Sequence, residues 1–139
     1  MAGRVFGSLV ALLLAGCGTA GRNEQTPAFS EIGQTETIQA IGTEPFWNIR
    51  IADGRLTYTT PEDQVGTPIA VERFAGNSGL AFNGMLGEQT LDLLVTRGDC
   101  SDGMSDRRYP FTATLKIGDD QRSGCGWSDK RPFTGPVAP

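Results

Sequence analysis

The chain has 139 residues, with 16 acidic side chains, 12 basic ones, no histidine and a formal net charge of −4. Without a basic patch there is nothing to hold a phosphate backbone, which speaks against nucleic acid as a partner. Without histidine, the Ser-His-Asp and Cys-His arrangements and the commonest general base are excluded.

The chain opens as a targeting segment. Arg4 supplies a positive start, and Val5 to Ala15 is an apolar run broken only by Gly7 and Ser8. A bilayer span needs about 20 apolar residues, so the run reads as an export signal and not as a transmembrane helix. It ends in Leu14-Ala15-Gly16-Cys17, a string that resembles the bacterial lipobox. That resemblance implies removal of residues 1–16 and acylation of Cys17. Two acyl chains, at about 0.8 kcal/mol per buried methylene, anchor a protein stably where one does not. Gly18 follows the cysteine. The absence of aspartate there favours the outer membrane over the inner one. Residues 17–33 then read as the lipidated cysteine and a flexible polar tether.

From residue 34 to 127 the chain reads as one domain built almost wholly of strands, with apolar residues at every second position and frequent turn signals. A first strand lies near Thr37 to Ile41. Trp47, Ile49 and Ile51 alternate with polar residues up to the turn Ala52-Asp53-Gly54. Leu56 and Tyr58, then Ile69 and Val71, then Leu80 and Phe82 beyond the Gly76–Gly79 turn, continue the pattern. Leu91, Leu93 and Val95, then Phe111, Ala113, Leu115 and Ile117, form two clear one-faced strands, and Cys125 and Trp127 share a face of the last. The expected fold is all-β: a small antiparallel barrel or sandwich of about seven or eight strands, mostly up-and-down, with one disulfide. Residues 128–139, with Pro132, Pro136 and Pro139, read as a tail.

With Cys17 assigned to lipid, Cys100 and Cys125 remain as an even pair in an oxidising compartment, which predicts a disulfide between them. The alternative, a two-cysteine metal site, lacks histidine partners. The segment Arg97–Pro110 breaks the strand rhythm. It is polar and long for a loop without an element of its own, a pattern that usually carries function or disorder.

Two strings carry a family resemblance: Gly42-Thr43-Glu44-Pro45-Phe46-Trp47, and Cys100-Ser101-Asp102-Gly103-Met104-Ser105-Asp106 followed by Tyr109-Pro110. With Gly124-Cys125-Gly126 they resemble a family of uncharacterised bacterial envelope lipoproteins, over roughly residues 34–127. The resemblance implies an envelope location and supports the Cys100–Cys125 pair; it implies no catalytic residues. A looser similarity of architecture is to the periplasmic lysozyme inhibitors, small β-barrels that place a polar loop in the enzyme's cleft, although their signature string is absent here.

The residue types point away from an enzyme. No cysteine is left as a nucleophile, and Lys116 and Lys130 sit on an outward strand position and in the tail. Asp99, Asp102 and Asp106 offer carboxylates for a glycosidase pair or oxygen ligands for calcium, but their spacing is not that of an EF-hand, so no cofactor or metal is expected. Phe46 and Trp47 are candidates for a ligand pocket in the barrel mouth, with core packing the alternative for Trp47. Met104 and Tyr109 are large apolar groups on a polar loop, as interface anchors are. The expectation is therefore a lipid-anchored, non-catalytic domain that meets a protein or glycan of the envelope through Asp102, Met104, Ser105, Asp106, Arg107 and Tyr109. Inhibition of a cell-wall hydrolase such as lysozyme, and carriage of a small apolar ligand, are the alternatives.

Overall fold

The structure is a computed structural model that describes Met1, Gly3 and residues 26–137. The export signal and the lipidation site at Cys17 lie outside the described residues.

Nine antiparallel strands follow one another along the chain. They are β1 (Ile38–Thr43), β2 (Phe46–Ala52), β3 (Arg55–Thr59), β4 (Thr67–Ala70), β5 (Glu72–Ala75), β6 (Gly79–Leu86), β7 (Gln89–Cys100), β8 (Tyr109–Ile117) and β9 (Asp120–Ser128). Each pairs with its neighbour in sequence, except that β4 and β5 do not pair with each other, and β9 returns to pair with β1. The result is a nearly closed up-and-down barrel. The stretch read as one strand around Ile69 and Val71 is two: β4 pairs with β3, and β5 pairs with β6. Val71 is the corner between them. Pro68 has no N–H to give a ladder, which suits so short a strand. The bent segment 67–75 takes the chain from one side of the sheet to the other.

Period-two patterning decides which side chains face inward. In β2 Trp47, Ile49 and Ile51 are buried while Phe46, Asn48 and Arg50 are exposed. In β8 Phe111, Ala113, Leu115 and Ile117 are buried, and Thr112, Thr114 and Lys116 are not. Asp53 and Gly54 make the β2–β3 turn with φ of 53° and 72°, the two positive values that a two-residue hairpin of matching twist requires. The interior is filled by these side chains together with Leu56, Leu80, Phe82, Leu91, Leu93 and Val95. A barrel of about this many strands has room for little else.

The packed domain starts earlier than the sequence pattern indicates. Phe29 and Ile32, placed in the tether by their polar surroundings, are 5% and 1% exposed and belong to the core. The Phe29 N–H donates to the Gly76 carbonyl at 2.7 Å, and its ring meets Phe111 edge-on at 6.2 Å. Arg73 donates to the Ile32 carbonyl at 2.9 Å. This segment covers the end of the barrel at which the β5–β6 turn lies.

Trp47 is a core residue, 1% exposed. Its indole lies on Gly42, directly opposite on β1, and beside Gly124 of β9. A Cβ on Gly42 would fall 2.0 Å from Nε1, and one on Gly124 would fall 1.9 Å from the Ile41 carbonyl oxygen. Two of the distinctive strings, around Gly42–Trp47 and Gly124–Gly126, are thus one packing unit. The Trp47 indole N–H is the single buried side-chain polar atom without a partner among the described residues.

Candidate functional site

The segment between β7 and β8 is shorter than its sequence suggests. β7 runs on to Cys100 and β8 begins at Tyr109, with a bulge where Arg97 and Cys100 pair with Phe111 and Tyr109. The true loop is residues 101–108. Cys100 is bonded to Cys125 of β9, with Cα atoms 5.6 Å apart. Cys125 lies between Ile41 and Thr112 in the ladder, on the outward row, because its neighbours Gly124 and Gly126 take the inward positions. The disulfide therefore ties the root of the loop to the outside of the barrel wall. A crosslink closing 25 residues restricts the unfolded chain by about 3.5 kcal/mol in the loop-entropy model.

Asp102 organises the loop. Its Oδ1 accepts from the backbone N–H groups of Met104 and Ser105 at 2.9 and 2.8 Å, the short-range turn that aspartate favours. Its Oδ2 accepts from the Ser105 and Tyr109 hydroxyls at 2.7 and 3.0 Å. Partial burial pushes the carboxyl up, but these four donors outweigh it and hold Asp102 well below the usual carboxylate range. Burial first, and then the Asp102 charge, push the Tyr109 phenol above its ordinary value against the pull of Arg107. Gly103 sits at φ 72° between them, where a side chain would be strained.

The tail completes this outer layer. Phe133 packs on Tyr109 and Trp127, with ring centroids 5.5 Å apart in each case. Arg108 and Thr134 exchange backbone hydrogen bonds of 3.0 and 2.9 Å. The Arg107 guanidinium stacks over Phe133 at 4.5 Å and donates to the carbonyls of Pro136, at 2.8 Å, and Val137. A small second core of Tyr109, Trp127 and Phe133 thus lies outside the barrel.

The six loop residues expected to meet a partner differ in exposure. Tyr109 is 1% exposed, Asp102 and Ser105 are half-buried and tied to it and to each other, and all three line one groove with Met104. Arg107 is engaged with the tail. Met104 and Asp106 are exposed. Phe46, a candidate from sequence for lining a pocket in the barrel mouth, lies on the β1–β2 hairpin, outward and 50% exposed. Met104, at 69% exposure, shares with it a groove of about 240 Å³ whose floor is Ile41, Gly42 and Thr43. Only the outward parity of Phe46 beside the inward Trp47 could have signalled this from sequence. Asp99 lies 3.6 Å from Arg108 in an exposed ion pair. Among the described residues no three His, Cys, Asp or Glu side chains gather to hold a metal ion, and no helix is long and apolar enough to cross a membrane.

No protein-family model matches the chain, and neither a curated protein nor a solved structure is significantly similar to it.

Proposed function

We propose that this protein is a non-catalytic binding module of the bacterial envelope, held to a membrane, the outer one by preference, through lipid on Cys17. It engages an envelope partner with the surface between the 101–108 loop and the β1–β2 hairpin. The observation that carries the reading is the exposed apolar pair Met104 and Phe46 on the two rims of one groove. Both are on rigidly held supports, one fixed by Asp102 and the disulfide, the other by a two-residue turn between paired strands. Pre-ordered apolar anchors bind at low entropic cost. The filled barrel interior speaks against carriage of an apolar ligand inside it.

The test is site-specific photo-cross-linking in living cells, with the photoreactive residue at Met104, at Phe46, and at Phe74 as a control. Adducts from the first two positions and not the third are expected, and Asp102→Ala should abolish the Met104 adduct. The same adducts from all three positions, or none from Met104 and Phe46, would overturn the proposal. Inhibition of lysozyme is the most specific form of this reading, and a cell-wall lysis assay with the purified protein decides it. For the anchor, Cys17→Ala should release the protein from the membrane fraction.

A further inference from the structure

The outer wall beside this loop carries a second set of polar groups. Strands β9, β1, β2 and β3 lie side by side, and residues opposite one another in the ladder point the same way. One outward row runs Trp127, Gln39, Arg50, Thr57, and the next runs Cys125, Ile41, Asn48, Thr59. Between the rows lies a shallow groove of about 340 Å³. Three interstrand steps make it ~14 Å long, the length of a short oligosaccharide.

The polar groups in this groove are less engaged than those of the loop. Among the described residues, the side chains of Gln39, Asn48, Arg50 and Trp127 make no hydrogen bond or ion pair, and only Thr59 donates, to the Asn48 carbonyl at 3.4 Å. Trp127 is half-buried and packed in the second core, its ring 5.4 Å from Tyr109 and 5.5 Å from Phe133. A fixed indole, planar amides, a guanidinium and hydroxyls lining one groove are the groups that sugar rings require. The C–H face of a ring stacks on the indole, and adjacent hydroxyls take paired hydrogen bonds from the planar groups. The groove contains one formal charge, Arg50, and no carboxylate, in a chain whose net charge is −4. A guanidinium fork matches a carboxylate in shape and charge.

We propose that this groove binds an oligosaccharide that carries carboxylates, with Trp127 as the stacking platform, Gln39 and Asn48 contacting hydroxyls, and Arg50 contacting the carboxylate. The site adjoins the Met104 rim and shares Ile41 and Asn48 with it, but Trp127, Gln39 and Arg50 line this groove alone, and Met104 and Phe46 line only the other. Saccharide binding read at Trp127 and Arg50 is therefore distinguishable from cross-linking read at Met104 and Phe46.

The experiment titrates the full-length protein in detergent micelles with three probes. Two carry carboxylates, a glycan strand released from bacterial cell wall and an oligogalacturonate; the third is a neutral chito-oligosaccharide. Indole emission and amide chemical shifts are followed. A carboxylated probe should change the emission of the wild type but not of Trp127→Phe, which retains only the buried Trp47. Its shifts should map to β1, β2 and β9. Which carboxylated probe binds tells cell-wall glycan from polyuronate. Arg50→Ala and Asn48→Ala, at exposed positions without side-chain partners, keep the fold. Arg50→Ala should weaken the carboxylated probe about tenfold, as loss of a charge-assisted hydrogen bond does. No response to either carboxylated probe at millimolar concentration would overturn the proposal. So would a neutral probe bound as tightly and indifferent to Arg50→Ala, or shifts confined to residues 101–108.

Discussion

Removing the Asp102 carboxylate should loosen the loop by an amount that depends on Tyr109. The carboxylate accepts four hydrogen bonds, but its donors differ in what they can find instead. Met104 is exposed and Ser105 half-buried, so their N–H groups and the Ser105 hydroxyl can turn to water. The Tyr109 hydroxyl belongs to a side chain only 1% exposed and has no such recourse. Asp102→Ala therefore leaves one buried hydroxyl unpaired, at a cost of about 1–3 kcal/mol, and loses about 0.5–1 kcal/mol more from the partly screened amide bonds. Tyr109→Phe removes the donor and leaves a carboxylate that water reaches, so it should cost ~1 kcal/mol. The double variant should cost about as much as Asp102→Ala alone or less, because the unpaired hydroxyl is gone with its partner. Urea unfolding of the three variants measures this, and hydrogen exchange at Met104 and Ser105 reports whether the loss is local to the loop. Strictly additive costs, or an Asp102→Ala variant within 0.5 kcal/mol of wild type, would refute the hub argument.

Stability should fall in acid through the same group. Asp102 and Glu36 are both held below the ordinary carboxylate value, the latter because its bonds from Ser128 and Gly33 outweigh partial burial. Their stabilisation is fully present above about pH 4, the unfolded value, and is lost as pH falls through the folded one. The melting temperature should thus be flat from neutral pH to about 5 and decline below about 4, less steeply in Asp102→Asn. A decline equally steep in that variant would contradict the assignment. Glycine substitutions should separate packing from strain. Gly42→Ala puts a methyl 2.0 Å from the Trp47 ring nitrogen and should cost several kcal/mol or prevent folding. Gly54→Ala meets nothing within 4 Å and should cost only the ~1 kcal/mol of its positive φ, as thermal melts of the two would show.

Much of the barrel was legible as a pattern, and the rest shows where pattern stops. Alternation marked Trp47, Ile49 and Ile51, or Phe111 to Ile117, as one-faced strands because the side-chain period of a strand is a local property. It merged β4 and β5, because a bend at Val71 changes pairing partners without changing the alternation. It left Phe29 and Ile32 in a tether, because two apolar residues in a polar stretch have no period; only the open end of a barrel gives them something to cover.

By itself the sequence determined the class of fold, the strand count to within one or two, and the Cys100–Cys125 pair. Each follows from local spacing or from a count of residue types. Only the tertiary structure decided what the loop's residues do. Asp102, Ser105, Arg107 and Tyr109 look from sequence like a polar surface for a partner, yet Tyr109 is covered on the outside of the barrel by Trp127 and Phe133, and the tail from Phe133 to Val137 arrives to engage Arg107. Trp127 joins Gln39, Arg50 and Thr57, and Met104 comes beside Phe46, only because β9 closes back on β1, a contact between residues more than 80 positions apart. No local pattern records which distant strand will lie alongside, so surfaces that cross that seam exist only once the barrel has closed.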